Sequence, residues 1–292
     1  MIANIVDGLP GPDATSRATL VVAPEAILQQ WARELEKHVH RGILNNVQIY
    51  HPRFHPRTPE AAQNLQRCDV VLTSYTSVLR SIPKRKPLSK KNPKEEEERW
   101  QEELHINKGV LHKAEWFRIC LDECQAVKNH ESSIAKAVTL LSGKHKWAMS
   151  GSPLQNDVGE FYSYFKFLGI LDREIETYRE FKKKYCSGSV AISRLRDKVT
   201  EFMVRRTFRS KIFGLLIVPL PEITRSTNWL ELDQFEQGLY DIVEKRFLAI
   251  VGTWHKDGDL EDKFWHIFEM LLRLRQLCSV SLTSYTCDSN AS

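Results

Sequence analysis

Along the first half of the chain, apolar residues come in short unbroken runs separated by stretches with helical spacing. Residues 18–23 (ATLVVA) form one such run, closed by Pro24, and read as a strand buried on both faces. Ile27, Trp31 and Leu35 then recur every four residues, with Leu28 beside them, which marks one face of a helix. Residues 47–50 predict a weak strand, 69–73 (DVVLT) a strong one, and 117–121 (FRICL) another that runs straight into Asp122 and Glu123. Ile134, Val138 and Leu141 predict a helix ahead of a further strand at 146–149. Strands and helices alternating at this spacing imply an α/β fold, a parallel sheet covered by helices on both faces. Ligands in such folds bind at the carboxyl ends of the strands. Asp122-Glu123 and Ser150-Gly151-Ser152 each follow directly on a predicted strand, where a site belongs.

Beyond Asn156 the pattern turns helical. Phe161, Phe165 and Leu168 share a face, and helices are predicted over 178–185 and 192–203. A strand-like stretch at 226–232 follows Pro219 and Pro221; Asp233 is placed to cap a long helix starting near Gln234. A last helical pattern covers 262–277, and the polar residues after it read as a disordered tail. Residues 82–103 interrupt the first half: six Lys/Arg precede a run of Glu. That stretch reads as a solvated surface insertion ending in a short helix, or as a basic finger that touches phosphates. The expected organisation is an α/β lobe at 1–157 carrying the 82–103 insertion, a mainly helical extension at 158–278, and the tail at 279–292.

Composition narrows the picture modestly. With 42% hydrophobic and 27% charged residues, the chain has the make-up of a folded protein with a buried core. A net charge of +5 leans toward a polyanionic partner without specifying one. The six cysteines include no C-x-x-C pair and no finger spacing, so neither a zinc module nor a disulfide-stapled scaffold is expected. Cys120 lies on a predicted buried strand and reads as a small hydrophobe. The first residues lack a basic n-region, and no run approaches the roughly 18 apolar residues of a bilayer span. An intracellular protein without a membrane partner is the expectation.

The stretch 119–129 (ICLDECQAVKN) carries the chemistry. An apolar strand delivering two adjacent carboxylates suits nucleotide hydrolysis. Asp122 would hold Mg²⁺ through water, because that ion favours hard oxygen ligands. Glu123 would orient and deprotonate an attacking water. About two dozen residues later, 147–157 (WAMSGSPLQND) places the hydroxyls of Ser150 and Ser152 on a turn at Gly151, stiffened by Pro153. Such a loop can hydrogen-bond the acidic tip and report its state elsewhere.

These segments resemble a family. Residues 20–38, with Pro24 closing a strand and Trp31 on the helix after it, are similar to motif Ia of the Swi/Snf-type helicase-like ATPases. Residues 70–78 (VVLTSYTSV) resemble motif Ib, 111–129 motif II, and 147–156 motif III. Residues 202–207 (FMVRRT) with 215–224, and 271–278 (LLRLRQLC), resemble the segments that lead out of the first motor lobe. The resemblance implies a RecA-like first lobe of a superfamily-two translocase, using ATP and Mg²⁺ to move along the backbone of double-stranded DNA. Chromatin remodelling or DNA repair, in the nucleus, is the implied setting. On the matching positions it implies Asp122 and Glu123 as catalytic, Asp122 as the water-mediated Mg²⁺ holder, and Gln125, Ser150, Gly151, Ser152, Gln155 and Asn156 as coupling residues. Pro24, Gln30, Ser74 and Tyr75 become candidates for the DNA face, with strand-end and helix-start structure as the other reading; Trp31 reads as core.

The departures are specific. No G-x-x-x-x-G-K-[ST] loop occurs, and 1–8 (MIANIVDG) resembles the tail of the helix that follows that loop in the family. The box reads Asp-Glu-Cys-Gln, with Cys124 and Gln125 in its last two positions, and Ser152 stands where the family usually has Thr. The expectation is therefore a fragment, a partial product or a degenerate paralogue that does not turn over ATP alone. A non-catalytic DNA- or chromatin-binding module is the alternative. The strand before the missing loop normally lies inside the sheet, so an exposed sheet edge is expected.

Overall fold

The computed structural model describes residues 1–11, 14, 16–53, 60–84, 93–207, 209–217, 221 and 223–279. The chain divides into two compact units, Met1–Arg205 and Arg206–Ser292.

The first unit is a five-stranded, wholly parallel sheet in the order β2-β3-β1-β4-β5. The strands are β1 (Thr19–Ala23), β2 (Val47–Ile49), β3 (Val70–Ser74), β4 (Trp116–Leu121) and β5 (Gly143–Ala148). Among the described residues ten α-helices accompany them: α1 (Ile2–Asp7), α2 (Leu28–His38), α3 (Ala61–Gln66), α4 (Tyr75–Arg80), α5 (Pro93–Asn107), α6 (Val110–Lys113), α7 (Ser133–Thr139), α8 (Phe161–Leu168), α9 (Tyr178–Tyr185) and α10 (Ser189–Phe202).

The central strands are continuous apolar runs because both faces are covered, and alternate residues serve opposite faces. On one face Leu20, Val22, Val71, Ile119 and Leu121 pack with residues of α3, α4, α6, α7 and α8. On the other, Val21, Ala23, Val70, Leu72 and Cys120 pack with Ile5 of α1 and with Leu28 and Leu35 of α2. β5 differs. Among the described residues it pairs with β4 alone, Lys144 and His145 are exposed, and Trp147 is 41% exposed. The polar start of this edge strand is why the sequence pattern places only its end, 146–149.

Arg118 is a buried cation on β4, and its guanidinium donates to the Gly8 carbonyl (2.8 Å) and to Thr19 Oγ1 (3.1 Å). It ties the end of α1 to the sheet. Burial holds its pKa below the usual arginine value.

A third cluster joins α8, α9 and α10 around Phe165 and Phe181. Because α8 also sends Tyr164 and Phe167 into the sheet's core, these helices belong to the first unit, and the sequence boundary at 157 falls inside it. At its rim Asp172 accepts from Lys184 (2.9 Å), Lys198 (3.3 Å) and the Tyr185 hydroxyl. Burial alone would raise this carboxyl; the hydrogen bonds from Tyr185, Lys184 and Lys198 outweigh it and hold the pKa at about 2, against an ordinary 3.8. A depressed pKa gives stability that is present above the unfolded value and lost as pH falls through the folded one. Asp172→Asn should therefore lower the urea midpoint near neutrality, and the gap from wild type should close between pH 3.8 and about 2. A gap that is constant with pH would show that the carboxylate carries no such load.

In the second unit, β6 (Lys211–Ile212) and β7 (Leu215–Leu216) form a hairpin whose turn residues, Phe213 and Gly214, both have positive φ. α11 (Gln234–Asp257) starts at the expected cap, Asp233, in a capping box with Glu236, and α12 (Phe264–Leu277) packs beside it. The strand expected at 226–232 is absent: those residues have no regular structure, and Trp229 and Leu230 are exposed. The insertion at 82–103 contains the start of a 15-residue helix, α5, longer than its sequence suggested; residues 85–92, most of its basic run, lie outside the described residues. No described helix is long and apolar enough to cross a membrane.

Candidate functional site

Parallel pairing aligns the carboxyl ends of β1, β3, β4 and β5, so Pro24, Ser74, Asp122 and Met149 lie along one edge of the sheet. The Asp122 N–H donates to the Val22 carbonyl (2.8 Å), which fixes Asp122 level with the end of β1. The chain then turns sharply. Glu123 has φ 52, the left-handed region, and Cys124 N–H donates to the Met149 carbonyl (2.9 Å). A non-glycine residue held there is unusual and characteristic of functional turns. The turn leaves Glu123 exposed while Cys124 drops into the core. Burial pushes the Cys124 thiol up to about 12, so the third box position is a neutral core residue.

The two carboxylates are held separately. Asp122 Oδ2 accepts from the indole N–H of Trp31 (2.7 Å), and Oδ1 accepts from the Glu123 N–H (3.0 Å). The Tyr75 hydroxyl donates to the main-chain carbonyl of Asp122 (2.8 Å). Glu123 Oε2 instead accepts from Gln125 Nε2 (2.8 Å), and Gln125 Oε1 accepts from the Ser150 hydroxyl (2.6 Å). Ser150 Oγ in turn accepts from the Ser152 N–H (3.0 Å), which shapes the exposed turn at Gly151 and Ser152. Gln155 and Asn156 belong to an adjoining knot. Gln155 N–H and Asn156 Nδ2 donate to Glu160 (2.9 and 3.2 Å), and Lys128 Nζ donates to Gln155 Oε1 (2.5 Å). Gln125 thus joins the acidic tip to the serine turn, while Gln155 and Asn156 brace the turn's far end.

Of the residues expected at a DNA face, Gln30 is exposed and Pro24 half-buried. Ser74 and Tyr75 are 3% and 5% exposed, and their hydroxyls are used inside the protein. Ser74 Oγ caps α4 by accepting from the Ser77 N–H (3.2 Å), and Tyr75 holds Asp122. Burial, then the nearby Cys124 and Asp122, raises the Tyr75 pKa well above the phenol range, so it stays a donor. At this tip the exposed side chain is Thr76. Sequence reasoning missed Trp31, Lys128 and Glu160 as members of this network. Trp31 packs partly against the second core cluster, as its helical face predicts, yet also carries a donor at the strand tips.

The donor set suits one kind of metal contact. Among the described residues there is no group of three or more His, Cys, Asp or Glu able to hold an ion. Each Asp122 oxygen accepts one hydrogen bond and keeps a lone pair free. That fits a Mg²⁺ held through water and shared with phosphate oxygens, and does not fit a cage built from protein alone.

A parallel α/β sheet with helices on both faces and paired carboxylates at a central strand tip defines the class, a RecA-like lobe. A family model for the SNF2-related domain matches residues 2–281, and the chain belongs to that family. It is 30% identical, over 89% of its length, to the helicase-like transcription factor CHR28 of Arabidopsis thaliana. It is also 30% identical, over 89% of its length, to the DNA repair protein RAD5A of the same plant, and 26% identical, over 90%, to the human helicase-like transcription factor. The chain covers 30%, 23% and 24% of those three proteins, so it spans a third or less of the curated relatives it matches. A Sulfolobus solfataricus SWI2/SNF2 ATPase core in complex with dsDNA matches 89% of this chain and 47% of its own, with 22% identity and a TM-score of 0.49.

Proposed function

We propose that this chain supplies the first motor lobe of an ATP-dependent translocase that grips the backbone of duplex DNA, in chromatin remodelling or DNA repair in the nucleus. The observation that carries the reading is the Asp122-Glu123 tip, whose two acids are held by different motifs on either side. When bound, Mg-ATP supplies the cleavable phosphoanhydride and a cation that offsets its charge. Asp122 orients the metal's water shell, because Trp31 and the Glu123 N–H fix both its oxygens. Glu123, exposed on its strained turn, takes the proton from an attacking water, and Gln125 and Ser150 set its direction. Pro24 and Gln30 present the phosphate-contacting side of the strand tips.

A second reading rests on the same surface. A non-catalytic lobe that docks on DNA or chromatin would need only the strand-tip surface.

ATP hydrolysis by the purified chain, with and without duplex DNA and beside Asp122→Ala, tests the proposal. Turnover no higher than the Asp122→Ala background is expected from this chain alone, because its sequence contains no G-x-x-x-x-G-K-[ST] loop, whose backbone N–H groups and lysine hold the β- and γ-phosphates elsewhere. DNA-stimulated turnover that disappears in Asp122→Ala would support the catalytic roles outright, and DNA-stimulated turnover that persists in Asp122→Ala would overturn them.

A further inference from the structure

The hydrogen bonds at Asp122 point beyond the position of a metal ligand. Trp31 lies on the first turns of α2, immediately after the exposed Gln29 and Gln30. Its ring packs against the second core cluster, which would suffice for a structural tryptophan. The indole N–H is nonetheless spent on Asp122 Oδ2 at 2.7 Å, a charge-assisted bond shorter than the usual N–H···O contact. Tyr75, the first residue of α4, donates to the main-chain carbonyl of the same aspartate. The first turns of the two helices that follow β1 and β3 therefore both hold Asp122. Glu123 is held from the other side, through Gln125 and Ser150.

We infer that Trp31 is a positioning residue that couples contact at the outer surface of α2 to the orientation of the Asp122 carboxylate. This rests on the reading of the lobe as a DNA-gripping motor. α2 joins β1 through Pro24 and a single short turn, Glu25–Ile27, so a phosphate drawn to Pro24 or Gln30 acts on the same rigid element that carries the indole. Hydrogen bonds weaken steeply with misalignment, so a small rotation of α2 frees or retightens one carboxylate oxygen. The polar groups of the second acid touch neither α2 nor α4, and Glu123 keeps its own orientation while Asp122 changes.

The test is nuclear magnetic resonance of the ¹⁵N-labelled chain. Seven tryptophans give seven indole signals, and Trp31 is the one missing in Trp31→Phe, or in Trp31→Tyr if the first variant does not fold. The expected Trp31 signal exchanges slowly with solvent, moves in Asp122→Asn, stays in place in Glu123→Gln, and moves when duplex DNA is added to saturation. Saturation is read independently, by the anisotropy of a labelled duplex. Trp31→Phe should shift the affinity for that duplex only by the strength of the coupling, because the N–H faces Asp122 and makes no direct DNA contact, whereas Gln30→Ala should bind it more weakly. A signal indifferent to Asp122→Asn, or unmoved by a duplex that anisotropy shows to be bound, overturns the coupling and leaves the DNA reading standing. An anisotropy trace that shows no binding removes the DNA reading and the coupling with it.

Discussion

The affinity of the purified chain for duplex DNA should fall by at least about fortyfold as monovalent salt rises from about 50 to about 200 mM, the loss for roughly three contacted phosphates. A lobe that grips a backbone releases condensed counterions, and each neutralised phosphate adds about 0.9 to the slope of log affinity against log salt. Little sequence preference should accompany the slope, because backbone contacts position a protein without reading bases. Gln30 and Pro24 are uncharged and contribute nothing to it. The cations must come from elsewhere, and the basic run at 83–91 is the densest source in the sequence. Neutralising its lysines should flatten the slope. A slope unchanged by those substitutions returns the run to ordinary solvated surface, and an affinity that is flat across salt in the wild type removes the backbone-gripping reading.

Phe165→Ala should destabilise the first unit by about 3–5 kcal/mol. Phe165 is 1% exposed and its ring meets those of Phe161, Phe181, Tyr185 and Phe202, with centroids 5.2–6.3 Å apart. Removing it empties the centre of the cluster that joins α8, α9 and α10. A domain's net stability is only about 5–15 kcal/mol, so the variant should populate unfolded chain at mild urea concentrations. Urea unfolding followed by far-ultraviolet circular dichroism reads this directly. A loss below about 1 kcal/mol would mean that the surrounding rings collapse into the space.

The sheet was legible because its inner strands are buried on both sides. Residues 18–23, 69–73 and 117–121 stand out as unbroken apolar runs, and the strands observed differ from them by a residue at either end. β5 was legible only at its end, because an edge strand lets Lys144 and His145 face water. The α9 helix matched its predicted span, and Asp233 was visible as a cap from its residue type just ahead of the helix. The short α3 and the hairpin at 211–216 went unseen, since neither carries a run long enough to show a period. At the site, strand-tip acids and a serine turn were readable from spacing. What spacing could not show was which hydroxyl faces inward. Ser74 and Tyr75 look like tip residues, yet α4 starts at once and folds their side chains beneath it. Trp31 had the opposite problem: its place on an apolar stripe concealed a polar end that only the third dimension brings to Asp122.

Among the described residues β5 is paired on one side only, and that sets a practical limit on solution work. A strand with one unpaired side is a template on which a second chain can zip, and lysine on such a strand is what ordinarily prevents it. Lys144 provides that guard by repelling its counterpart on a second chain, an interaction whose reach dissolved ions shorten to about 10 Å at 0.1 M and about 3 Å at 1 M. Any high-salt step in purification also disarms this defence of the protein against itself. The upper bound on usable salt is therefore colloidal.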